Sequence, residues 1–95
     1  MAYFAISFEL RYGSELARRT VCNEIERLGG VEAIGGVYLA ELDGTAQEVR
    51  DYLARYLGAK DRLVVIGFSS PPAVRASLAG ADRWIAERLA PSGVA

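Results

Sequence analysis

Hydrophobic and polar positions alternate at the start of the chain. Phe4, Ile6 and Phe8 interleave with Tyr3, Ala5, Ser7 and Glu9, which predicts a strand over residues 3–10. One face of that strand is bulky and apolar, and the other is small. After Tyr12-Gly13 the period changes. Ala17, Val21, Ile25 and Leu28 fall at helical spacing, with Ser14 as N-cap, Glu15 in the first turn and Gly29-Gly30 as the stop. Val31 to Ile34 and Val37 to Leu42 flank Gly35-Gly36, the signature of a tight hairpin. Asp43-Gly44 turns the chain, and Thr45-Ala46-Gln47-Glu48 reads as a capping box. A second helix follows, with Val49, Tyr52, Leu53, Tyr56 and Leu57 as its apolar stripe and Gly58 as its C′ residue. Arg62 to Phe68 is the last clear strand, ended by Ser69-Ser70-Pro71-Pro72. Residues 73–90 predict a further helix, interrupted near Gly80, with Trp84, Ile85 and Leu89 on one face.

The order strand, helix, strand, strand, helix, strand is the split βαβ pattern. It predicts an α+β domain of ferredoxin-like βαββαβ type over residues 1–70. Right-handed crossovers put both helices on one face of a four-stranded antiparallel sheet. Residues 71–95 form a C-terminal helical extension and tail within the same domain. In this arrangement the first and third strands lie inside and the second and fourth are edges. The fourth strand then exposes an edge whose centre is Leu63-Val64-Val65-Ile66. An uncovered apolar edge invites association. A second copy of the chain or residues 69–95 should cover it. The helix-free face, with Tyr3, Ala5 and Ser7, is a further packing surface.

Composition narrows the chemistry. The 95 residues fit one domain, with no repeat or linker. There is no histidine and one cysteine, Cys22. That excludes His-based general bases and catalytic triads, an internal disulfide and multi-cysteine zinc sites. Cys22 reads as a packing residue, because no histidine is present to activate it. The 12 acidic and 11 basic residues leave a net charge of −1, without the basic excess of a dedicated nucleic-acid binder. Ten of the cations are arginine, Lys60 being the exception. Gly35-Gly36 is a turn rather than a phosphate loop, since it lacks the strand-to-helix setting and the lysine. No signal peptide or membrane span is visible, so the expected location is cytoplasmic, with no membrane partner.

The residues also resemble a known group. Ile6-Ser7-Phe8-Glu9-Leu10, Leu28-Gly29, Thr45-Ala46-Gln47-Glu48-Val49-Arg50-Asp51 and Asp61-Arg62-Leu63-Val64-Val65 stand in the order found in SinR-like, CRISPR-adaptation-like proteins. These are relatives of the non-integrase partner in spacer acquisition and of the VapD ribonuclease toxins. The similarity covers roughly residues 3–68. It implies a homodimer acting in antiviral defence as a scaffold for protein or nucleic acid. It also implies one acidic residue per protomer at the end of the first strand, here Glu9. Nuclease-like relatives carry aspartate there, so the glutamate departs from the pattern. If Glu9 paired across a dimer, the two carboxylates would suit Mg²⁺ bridging a phosphate.

Each candidate has a plainer alternative. Glu9 is the candidate catalytic and metal-binding residue, or else a strand-end acid paired with Arg11. Arg11, Arg18 and Arg19 form a candidate phosphate-contact patch, or else a solvated face partnered by Glu15. Trp84 is a partner hot spot, or else the anchor that docks the C-terminal helix. The leading expectation is a non-catalytic homodimeric scaffold that binds a protein, with nucleic acid as a further partner class. The second is a protein–protein interaction module, such as an anti-CRISPR inhibitor from a mobile element. The third is a metal-dependent nuclease, a Mg²⁺-dependent ribonuclease or deoxyribonuclease.

Overall fold

A computed structural model of the chain describes residues 1–11 and 15–89. Its elements are β1 (Ala2–Glu9), α1 (Glu15–Arg27), β2 (Val31–Ile34), β3 (Val37–Leu42), α2 (Ala46–Ala54), β4 (Arg62–Phe68) and α3 (Ala81–Leu89). The strands form one antiparallel sheet in the order β2-β3-β1-β4. β1 and β3 lie inside, and β2 and β4 are the edges, as the element order predicts.

Alternation in β1 divides the molecule into two cores. Phe4, Ile6 and Phe8 point to one face, where Val21 and Ile25 of α1 and Val49 and Leu53 of α2 meet them. Tyr38 and Ala40 of β3 complete this core. Tyr3 and Ala5 point to the other face and pack with Val31, Ala33, Leu39 and Phe68 beneath α3. Ala81, Trp84 and Leu89 are the buried residues of α3 in that second cluster.

Local signals end the elements. Gly29 adopts φ +89°, which only glycine takes without strain. Its amide donates to the Glu26 carbonyl and that of Gly30 to the Ile25 carbonyl, each at 2.9 Å. This is a Schellman stop for α1. The capping box of α2 is complete: the Glu48 amide donates to Thr45 Oγ1 at 3.1 Å, and the Thr45 amide to Glu48 Oε1 at 2.9 Å. The Ser14 cap proposed for α1 lies outside the described residues.

Two expectations about the helices are corrected. α2 stops at Ala54, ahead of the expected Gly58. Beyond it the Tyr56 amide bonds the Leu53 carbonyl and the Leu57 amide that of Ala54, tightening the chain into i→i−3 turns. Tyr56 and Leu57 still pack on the core from this turn. Residues 73–79 are not helical; α3 begins only after Gly80, at φ +94°. The strap before it is tied to the sheet instead, through the Leu78 amide and the Ala33 carbonyl at 2.8 Å. A backbone donor used in this way cannot also serve a helix ladder.

Candidate functional site

The uncovered part of the sheet is built by cross-strand register. Ile34 pairs with Val37, Val37 with Ser7, and Ser7 with Val64. These four side chains therefore form one row across the face opposite α1 and α2. The next row runs from Val31 through Leu39 and Ala5 to Ile66. α3 covers that second row only as far as Ala5. The result is an apolar surface at the β4 side, where Val64 is 54% and Ile66 57% exposed, while Ile34, 50% exposed, ends the first row at the opposite edge on β2.

The edge of β4 borders this surface. Among the described residues no strand pairs with its outer side. The sequence leaves the cover of that edge to a second copy of the chain or to residues 69–95. Of those described, α3 covers the sheet face instead, over β2, β3, β1 and Phe68 at the end of β4. The reason lies in three polar ties on that side. Trp84 Nε1 donates to the Gly29 carbonyl at 2.9 Å, Tyr3 Oη donates to the Arg88 carbonyl at 3.2 Å, and Arg88 Nε lies 3.5 Å from Glu41 Oε1. These hold α3 over the sheet face, where Phe68 of β4 joins its cluster, and not along the outer edge of β4. Residues 90–95 lie outside the described residues.

Trp84 is only 6% exposed and sits inside its own chain. The Tyr3 ring meets it edge-on, and the Arg88 guanidinium lies 4.7 Å from its ring centroid. The anchor reading fits this burial; a partner hot spot would need the ring at the surface.

Glu9 ends β1 with its side chain 68% exposed. It pairs with Arg62 Nη1 at 3.3 Å, not with Arg11 as expected, because β4 places Arg62 directly opposite Glu9 in register. Among the described residues no group of three His, Cys, Asp or Glu side chains forms a metal cluster around it.

The arginine candidates are placed separately. Arg11 follows β1, and its backbone amide, rather than its guanidinium, is the bonded group. Arg18 lies on α1 with its guanidinium 5.6 Å from the Phe8 ring centroid. Arg19 is exposed beside it. The expected pairing of Glu15 with Arg18 or Arg19 does not form among the described residues. Ser7, Glu9, Arg18, Arg62 and the Gly35-Gly36 turn border one open concavity at this end of the sheet. Its charges are of both signs, so it presents no cationic field for phosphate.

Three polar devices were not foreseen as such. Asp61 takes the Arg11 amide on Oδ1 at 2.8 Å and the Gly58 amide on Oδ2 at 2.7 Å. The two bonds, Gly58 first, lower its carboxyl pKa and buckle the end of β1 to the start of β4. Between the helices, Glu24 accepts from Arg27 Nε at 2.9 Å, from Arg27 Nη2 at 2.6 Å, and from the Tyr52 hydroxyl. Arg27 and then Tyr52 hold the Glu24 carboxyl near 2, against an ordinary 4.5. Burial first, and the 2.7 Å contact with Cys22 Sγ second, push the Tyr38 hydroxyl well above its usual value. Asp at a strand start and Glu24 spaced three before Arg27 were the signals available for the first two. A contact from Glu24 to Tyr52 has no local signature.

Among the described residues no helix is long and apolar enough to cross a membrane. No protein-family model, curated protein or solved structure matches the chain.

Proposed function

We propose that this chain is a ferredoxin-like domain that acts as a non-catalytic homodimeric scaffold. The topology supports it: read from β4, the sheet runs 4-1-3-2, with every neighbouring pair antiparallel. One observation carries the dimer. The outer edge of β4 has no strand beside it among the described residues, and Val64 and Ile66 stand exposed next to it. An edge of this kind is a template for a second strand. Antiparallel pairing of two β4 strands about a two-fold axis at Val65 sets Val64 against Ile66 of the partner subunit. It also sets Arg62 against Phe68 of the partner subunit. Such an isologous contact closes on itself and uses up the β4 edge of both copies, leaving β2 as the outer strand at each end.

The CRISPR-adaptation-like resemblance is consistent with this reading and stays part of the proposal. The surface beside β4 is apolar rather than cationic, which favours a protein over a nucleic acid as partner. Glu9, the one candidate for carboxylate chemistry, is occupied by Arg62. The test is sedimentation equilibrium of the wild type and of Ile66→Lys. The wild type should reach twice the 10.3 kDa chain mass. The variant should remain at chain mass with unchanged circular dichroism. A wild type that stays monomeric at high micromolar concentration overturns the dimer.

A further inference from the structure

A cleft lies on the far side of the sheet from the β4 surface, between the C-terminal end of α1 and α2. Its volume is about 420 Å³. Ile6 and Ala40 of the sheet form its floor, with Ile25 of α1, Leu28 just beyond its end, and Val49 and Leu53 of α2 as walls. The sequence makes this space. Ala40 is fully buried between the larger Tyr38 and Leu42, and its methyl group leaves the floor low. At the mouth, Gly44 with φ +104° replaces any side chain that could close it.

Such a space suits an apolar ligand better than water. A buried water needs two to four polar partners, which these walls lack. An apolar cavity of roughly 150 Å³ already takes a benzene-sized molecule. Pockets of about 300–1,000 Å³ with few polar groups are the ordinary dimension of small-molecule sites.

The mouth sets the charge of the ligand. Asp43, Glu48 and Tyr52 supply the polar side chains there. Glu48 is engaged in the capping box, where its charge offsets the positive end of α2. The Tyr52 hydroxyl donates to Glu24. Arg27, which reaches that hydroxyl from α1, is held by Glu24 in a two-pronged pair. Asp43 alone has no hydrogen-bond or ion-pair partner among the described residues. No lysine or arginine lines the cleft. The geometry points to a binding site for a small amphipathic cation, an alkyl- or phenylalkyl-amine, with its apolar body between α1 and α2 and its ammonium on Asp43.

The experiment is methyl-detected NMR titration of the full chain with n-octylamine, n-octanol and octanoate. Saturable shifts are expected at the methyls of Ile25, Val49 and Leu53. The amine should bind about tenfold tighter than octanoate, with octanol between them. Asp43→Asn, an exposed change, should weaken the amine about threefold to fivefold and leave octanol unaffected. Ala40→Leu should abolish binding of all three by raising the floor. If Ala40→Leu does not fold, the Asp43→Asn comparison decides by itself. Non-saturable shifts, octanoate binding as well as the amine, or an unchanged amine affinity in Asp43→Asn each overturn the site. So do cleft shifts that follow protein concentration without ligand, which would mean that a second copy fills it.

Discussion

The indole N–H of Trp84 donates to the carbonyl of Gly29 at 2.9 Å across 55 positions of sequence. Gly29 is the left-handed residue that stops α1, so the anchor of α3 is fixed to the end of a helix on the opposite face of the sheet. The end of one core is thereby tied to the cover of the other. α3 thus lies on the sheet face and not along the outer edge of β4.

The tie has a measurable strength. Trp84→Ala removes the ring and the bond together and should cost about 3–5 kcal/mol in urea unfolding. Trp84→Phe keeps an aromatic ring but leaves the Gly29 carbonyl without its donor, and should cost about 1–3 kcal/mol. A Trp84→Phe variant as stable as the wild type would show that the bond contributes nothing beyond packing.

Gly30 and Gly35 predict opposite outcomes for one substitution. A Cβ on Gly30 would lie 2.6 Å from Ile25 Cγ2 and 3.0 Å from the carbonyls of Ile25 and Leu39. Two of those three atoms are backbone, so Gly30→Ala should destabilise by about 1–3 kcal/mol. A Cβ on Gly35 meets nothing within 4 Å, and its φ is not positive. Gly35→Ala should therefore be neutral or slightly stabilising, through the unfolded chain. Thermal melts of the two variants side by side check this.

Glu24 predicts an acid limb. Its carboxyl is held near 2 in the fold, against an ordinary 4.5, so the folded state favours the ionised form. The stability it adds is full above about pH 4.5 and is lost as pH falls towards 2. Glu24→Gln should lower the melting temperature at pH 7, and the gap to wild type should close as pH approaches 2. A gap that stays constant across that range would remove Glu24 from the acid response.

Asp61 works in the same direction through backbone donors. Asp61→Ala loses both the Arg11 and Gly58 bonds and should lower the melting temperature more than Asp61→Asn, which keeps one acceptor oxygen. Amide exchange at Arg11 and Gly58 should rise in the alanine variant alone by the larger factor.

Much of this architecture is legible in the residues. β2, β3 and β4 begin and end where alternation, Gly35-Gly36 and Pro71-Pro72 place them. The Thr45–Glu48 capping box is local chemistry, and it forms as read. What the sequence hides is set by distant partners. The shared face of Trp84, Ile85 and Leu89 says that α3 packs, but not whether it meets an edge or a face. That choice depends on Gly29 and Glu41, far away in the chain. The helical periodicity at 73–79 likewise gives way to one backbone bond at Ala33. At the candidate site, Glu9 was legible as a strand-end acid, whereas its pairing with Arg62 depends on the register between β1 and β4.

The central claim is that β4 pairs with a second β4, and backbone amide exchange across Arg62–Phe68 tests it most directly. Alternate N–H groups of an edge strand point outward and stay unpaired. At concentrations where the mass is doubled, all the β4 amides should be protected, and the outward ones should lose protection in Ile66→Lys. Fast exchange at every second β4 amide in the wild type, whatever its concentration, would contradict the account.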